Sequence, residues 1–203
     1  MAPEERRAAL VAATVPLLRE HGLDLSTKQI AQAAGVAEGT IFGVFPDKQS
    51  LLVAALLDAL DPQPTLDALG AIDPKLTLRE RLVAAVRLVI ERFRANAHLM
   101  AAARSVLQGC DAETHRRMAE SRQRLLAALT ALIEPDAAEL RSSPATTARI
   151  LLVFCGGNTF GPYGDPERFT PPEIVSLLLD GLHIVTAGAE PSIVPLLRKP
   201  EVP

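Results

Sequence analysis

The residues able to do covalent chemistry in this chain are few and scattered. A thiol nucleophile would be Cys110 or Cys155, with His98, His115 or His183 as its base. No two of these stand at a recognisable motif spacing. Cys155 closes the apolar run Ile150–Cys155, a setting that raises a thiol's pKa and blunts it. Neither cysteine has metal-ligand spacing, and both read as small buried hydrophobes. His21 falls in the last turn of a predicted helix, where a cation is favoured. No catalytic residue, metal ligand or cofactor is assigned, and an enzyme ranks behind a binding protein. A second group of residues suits anions. Lys48 follows Asp47 at the predicted start of a helix, where the dipole disfavours a cation by a few tenths of a kcal/mol or more. A phosphate there reverses the sign, because the lysine and the free N–H groups both attract it. Thr27 and Lys28 open another helix and have the same opportunity.

The elements that must position these groups lie in Leu25–Leu52, LSTKQIAQAAGVAEGTIFGVFPDKQSLL. Ser26 and Gln29 have capping-box spacing, and Leu25 and Ile30 flank them as a hydrophobic staple. Ile30, Ala31 and Ala34 form a small apolar face. Gly35 ends this helix where a left-handed residue is required, and Val36 plugs the angle that follows. A second short helix, Glu38 to Val44, is expected to carry Ile41 and Phe42 inward. Pro46 and Asp47 end it and cap the next. Two short helices joined by a glycine turn form a helix-turn-helix, whose second helix usually lies in the DNA major groove. Glu38, Gly39, Thr40, Phe42 and Gly43 stand on that second helix. Arg6 and Arg7 are expected to form an arm toward the minor groove.

At these residues the chain resembles the tetracycline-repressor (TetR) family of transcriptional regulators. The resemblance covers roughly the first 55 residues and rests on Gly22, Ser26, Thr27, Ile30, Ala31, Ala34, Gly35, Val36, Gly39, Thr40, Phe45, Lys48 and Leu51. It implies the same phosphate role for Lys48. The chain also departs from the family. Phe42 stands where a Tyr is common, Val44 where a His or Tyr is common, and Ala37 replaces the usual Ser cap. Phe and Val have no polar hydrogen for the DNA backbone, and Gly43 has no side chain to read bases. Fewer contacts are therefore expected, with specificity leaning on Arg6, Arg7, Lys28 and DNA shape.

Bulk composition agrees with a helical binding protein. Hydrophobic residues make up 48% of the 203, aromatics only 3%, and there is no Trp, so the core must be aliphatic. Abundant Ala and Leu favour an all-α chain. The net charge of −3 gives no bulk attraction to DNA. Residues 1–50 hold five basic side chains (Arg6, Arg7, Arg19, Lys28, Lys48) against six acids, so any DNA surface is local. The start, MAPEERR, has no apolar signal-peptide core, and no apolar run approaches the ~20 residues that span a bilayer. A cytoplasmic protein without membrane attachment is expected.

The expected architecture is all-α: an N-terminal three-helix DNA-binding bundle over 1–50, then a larger helical domain over 51–203. The first helix, 4–21, contains Pro16, which should kink it. The third helix, Asp47 to about Leu60, connects the parts. Breakers follow at 61–74, with a short helical turn between Thr65 and Ala71. Leu78, Leu82, Val86, Val89, Ile90 and Phe93 form the buried stripe of a helix over 76–97, with Arg79, Arg87, Glu91 and Arg94 on its wet face. Further helices are expected from His98 to about Gln108 and from Glu113 to about Glu134.

The TetR resemblance implies that the C-terminal domain encloses a small-molecule pocket and forms a homodimer on a palindromic operator, with effector binding moving the connecting helix. Candidate polar lining groups are His98, Arg104, Cys110, His115, Arg149 and Asn158; Phe93, Met100, Met118 and Phe154 are either core or apolar lining. Scarce aromatics favour an aliphatic cavity for an apolar effector. Two helices, 145–155 and 173–187, are apolar nearly all round and need cover on two sides. Leu151, Phe154, Leu178, Leu182 and Val185 are the candidate dimer contacts. An effector-independent DNA-binding dimer is the alternative.

Overall fold

The computed structural model describes residues 2–100, 111–160 and 168–182. Among these residues the regular elements are helices: α1 (Pro3–His21), α2 (Thr27–Ala34), α3 (Glu38–Phe42), α4 (Lys48–Ala59), α5 (Gln63–Gly70) and α6 (Leu78–Ala95). Residues 97–100 form a further turn, α7. Then come α8 (Ala112–Ile133), a 3-10 segment (Glu134–Glu139), α9 (Pro144–Phe160) and α10 (Pro171–Leu182). The chain is all-α, with an N-terminal helix-turn-helix unit and a larger helical part behind it.

Local sequence explains where helices begin. Ser26, Asp47, Thr77 and Asp111 are N-caps whose side chains accept from the backbone N–H three residues on. Each supplies a partner to an N–H that the helix leaves without one. Thr77 with Glu80 and Ser26 with Gln29 complete reciprocal capping boxes. Helix α1 runs through Pro16 as one assigned segment, with Pro16 exposed. The predicted turn at Thr65–Ala71 is part of a two-turn helix, α5.

Two apolar cores form. The first joins Leu10 and Leu18 of α1, Leu25, Ile30 and Ile41, Phe45, and the α4 stripe Leu51, Leu52, Ala55, Leu56 and Ala59. Leu60 and Leu99 also belong to it. The whole length of α4 thus packs with the N-terminal unit. The second core gathers the predicted stripe of α6 with Leu125, Leu129 and Ile133 of α8, and with α9 and α10.

Several expectations need correction. Phe42 is not turned inward but is 53% exposed. Helix α3 is only five residues long, ending before Val44, and Phe45 fills the place behind Ile41, four residues on along the same face. Arg6 and Arg7 are not an extended arm, because Pro3 starts α1 at its first position and both arginines are helical. Helix α9 does not stop at 155 but continues through Gly156 and Gly157 to Phe160. Packing outweighs the poor helix propensity of glycine there: a Cβ on Gly156 would stand 3.9 Å from the Phe93 ring. Leu151 and Leu178 are buried within the subunit's own second core, so neither is a surface contact. The side chain of Leu182, and Arg104, Cys110, His183 and Val185, lie outside the described residues.

One buried charge had no sequence signal. Arg81 is 6% exposed. Its guanidinium donates to Leu76 O (2.6 Å) and Leu132 O (3.3 Å) and pairs with Asp136. It pins the 3-10 segment after α8 against the start of α6.

Candidate nucleic-acid interface and effector pocket

The turn between α2 and α3 is built as its residues demand. Gly35 sits at φ 66°, ψ 31°, the left-handed region, which glycine enters without steric penalty. The N–H of Val36 then donates to Ala31 O at 3.0 Å, closing the end of α2. Val36 is half-buried against the first core, and Ile30 and Ile41 hold the two helices to α1 and α4.

This packing presents the outer side of α3. Glu38, Gly39, Phe42 and Gly43 are exposed and Thr40 is half-buried. Thr27, at the first position of α2, donates its hydroxyl hydrogen to the Glu38 carboxylate. That bond uses the one side-chain hydrogen Thr27 could offer a phosphate, and it ties the start of α2 to the start of α3. Lys28 is exposed beside it. Lys48 is the first residue of α4 and half-buried, and neither lysine is ion-paired among the described residues. The adjoining cap is occupied: Asp47 accepts from Ser50 N at 2.7 Å. That backbone bond, reinforced by the Ser50 hydroxyl, holds the Asp47 carboxyl below its ordinary range. The N–H groups of Lys48 and Gln49 remain for an anion. Arg7 lies with its guanidinium carbon 4.3 Å from the centre of the Phe45 ring, a cation–π contact that clamps α1 onto the segment after α3.

The second site is a cavity of about 340 Å³ where the two cores meet. Helix α6 contributes Arg92 and Phe93, followed by Asn96 at its C-cap. Met100 of α7 and Leu60 at the end of α4 close one side. Met118, Ser121, Arg122 and Leu125 of α8 face Leu152, Val153, Gly156 and Phe160 of α9. Phe93 and Phe160 pack at 5.3 Å between ring centres, tilted by 46°.

Of the predicted lining residues, Phe93, Met100 and Met118 are there. His98, His115 and Arg149 are exposed elsewhere. Arg149 follows buried Ala148 on α9, and one residue along a helix turns a side chain away from its neighbour's face. His115 Nδ1 is 3.0 Å from Asp111 O in the first turn of α8. Phe154 is 40% exposed and is not part of the lining. Asn158 holds the backbone of Phe169, donating to its O at 3.0 Å and accepting from its N at 2.9 Å. The reading missed Leu60, Arg92, Asn96, Ser121, Arg122 and Phe160. Arg92 carried a usable signal, because it follows the stripe residue Val89 by three, a spacing that shares a helix face.

Arg92 joins the cavity to the N-terminal unit. Its guanidinium donates to Asp61 O at 2.8 Å and to Leu60 O, the first carbonyls beyond α4. Helix α4 has no basic residue in its last turn and carries Asp58 there, the wrong charge for a helix C-terminus. Arg92 of α6 supplies the missing cation. Burial pulls its pKa below the ordinary value while the Asp61 carboxylate opposes the shift.

Residues 10–55 match the family described as bacterial regulatory proteins, tetR family. The chain carries the TetR-family DNA-binding domain and has the TetR regulator fold. Among curated proteins no sequence matches. Solved structures extend the likeness beyond the N-terminal unit. A TetR-family bacterial regulatory protein from Rhodococcus RHA1 is 20% identical with a TM-score of 0.62, over 89% of this chain and 98% of its own. The TetR transcriptional regulator SCO0520 from Streptomyces coelicolor is 27% identical with a TM-score of 0.53, over 89% of this chain and 99% of its own. The regulator FadR from Bacillus subtilis, solved with stearoyl-CoA, is 16% identical with a TM-score of 0.60, over 87% of this chain and 99% of its own. In this fold α3 is the second helix of the helix-turn-helix, and α4 follows it. No described helix is long and apolar enough to cross a membrane.

Proposed function

We propose that the chain is a cytoplasmic transcriptional repressor that binds a palindromic operator as a homodimer and leaves it when a small, largely apolar effector enters the cavity. The observation that carries this reading is the position of Arg92, which lines the cavity and caps the helix that bears Lys48 at its other end. An effector that shifts α6 changes the support of α4, and with it the spacing of two recognition helices. The similar structure of FadR with stearoyl-CoA supports a ligand with an apolar chain for this fold.

On DNA, Lys48 and the free N–H groups of α4 meet a phosphate, and Lys28 meets another. Glu38 suits the amino group of a cytosine and Phe42 the methyl of a thymine. Gly39 and Gly43 beside Phe42 let the helix backbone approach the bases closely. The dimer forms through the outer face of α9, where Val153 is 63% and Phe154 is 40% exposed, with Gly157 one turn on. Exposed apolar side chains clustered on one face mark an interaction site. Cys155 does not serve as a nucleophile, since burial pushes its thiol up to about 12.

Selection of binding sites from random double-stranded DNA tests the reading. The expected product is an inverted repeat whose half-sites lie about one helical turn apart or a multiple of it. Enrichment of no sequence, or of a single unrepeated half-site, contradicts it.

A further inference from the structure

The cavity at the junction of the cores is apolar in its body yet carries two cations, Arg92 and Arg122, and no Asp or Glu lines it among the described residues. Arg122 is exposed on α8 and makes no ion pair or hydrogen bond with the described residues. Two arginines of the same helix are engaged elsewhere: Arg116 is held by Glu113 and Glu120, and Arg124 faces Asp61 at 3.6 Å. The bonds of Arg92 to Asp61 O and Leu60 O occupy two of its five N–H groups. Ser121 and Asn96 add neutral polar atoms to the same lining. A neutral hydrocarbon would leave these groups without a partner, and a cationic ligand would face two like charges.

Resting on the reading of this cavity as the effector site, we propose that it takes an amphiphile with an anionic head: an apolar body against Phe93, Leu125, Leu152 and Phe160, and a carboxylate or similar anion between Arg122 and Arg92. Arg122 supplies the attraction at the mouth. Arg92 senses the head, because an anion competes with Leu60 O and Asp61 O for its guanidinium. The signal for release is then the loss of a cap from α4.

Three probes with the same ten-carbon chain separate head-group charge from apolar burial: decanoate, decanol and decyltrimethylammonium. Isothermal titration of the full chain at neutral pH should rank them decanoate, decanol, ammonium. A charge-assisted contact at this partly exposed site should favour decanoate over decanol by about tenfold. Arg122→Gln should remove most of that preference, lowering decanoate affinity far more than decanol affinity. Arg122 is exposed, so this variant keeps the fold, and circular dichroism checks it. Equal binding of decanoate and decanol to the wild type overturns the anionic head while leaving the apolar pocket standing, and a preference that survives undiminished in Arg122→Gln overturns the placement of that head at Arg122. Binding of none of the three overturns the pocket reading itself, and the head-group proposal with it.

Discussion

Replacing Arg92 with Ala should loosen the end of α4 without unfolding the protein. The wild-type guanidinium makes charge-assisted hydrogen bonds to Leu60 O and Asp61 O. Each such bond contributes roughly 1.5–3 kcal/mol in a protected site. The site is half-buried and water can replace part of what is lost, so about 2 kcal/mol in total is a reasonable net loss. Because α4 has no cation of its own in its last turn, nothing local compensates. A loss of about 2 kcal/mol corresponds to a roughly 30-fold fall in protection where exchange occurs by local opening. Hydrogen exchange followed by mass spectrometry reads this directly in peptides spanning 56–62. Peptides from α2, which packs on α1 and α3 at the opposite end of the unit, should keep their protection. Arg92→Lys should give an intermediate result, since a lysine offers a point charge without the two-pronged geometry. Unchanged protection at 56–62 in Arg92→Ala would refute the claim that this arginine supports the connector. A uniform loss across all peptides would mean that it merely stabilises the whole fold.

Other outcomes follow from the same structure. Lys48→Ala should weaken DNA binding about equally across sequences and lower the salt slope by about one ion per subunit; an unchanged slope in a folded variant removes the phosphate role. Gly35→Val should cost about 1–3 kcal/mol by forcing a β-branched residue to positive φ, and Gly35→Asn should largely restore stability and DNA binding, because a Cβ there meets nothing within 4 Å; thermal melts of the three proteins decide it. Phe154→Glu, outside the cavity lining, should give a folded monomer in sedimentation equilibrium, and a dimer that persists locates the interface elsewhere. The cap carboxylates of Asp47, Glu80, Asp111 and Glu173 are held below their ordinary values of 3.8 and 4.5, chiefly by hydrogen bonds from their own first turns. A depressed folded pKa stabilises above the unfolded value and loses that effect as pH falls through the folded one, so melting temperature should drop as pH falls below about 4.5, and less steeply in Asp111→Asn than in the wild type.

Sequence reading succeeded where the determinants are local. The caps at Ser26 and Asp47 and the left-handed Gly35 are each set by residues within one turn, and they fix the recognition unit almost alone. It failed where tertiary packing chooses among equal options. Around a five-residue helix, periodicity does not say whether Phe42, its last residue, or Phe45, beyond its end, joins Ile41 in the core. Consecutive glycines read as a break, yet α9 continues through them because Phe93 packs there. A helix apolar on every side does not reveal which face meets its own subunit, so Leu151 and Leu178 looked like interface and are core. The roles of Arg81 and Arg92 went unread because their partners are carbonyls and a carboxylate far along the chain: Leu132 O and Asp136 for one, Leu60 O and Asp61 O for the other. The cavity was legible only in its apolar members, since its shape depends on how four helices and the end of α4 converge.

The central claim is that two copies of this chain read one palindrome through α3. Fluorescence anisotropy tests it with the inverted repeat recovered by selection and a scrambled duplex of equal composition, both at one stated salt concentration. The account predicts saturation at two chains per inverted repeat, with binding at least about 10³-fold tighter than to the scrambled duplex. Equal affinity for the two duplexes, or saturation at one chain per repeat, would contradict it.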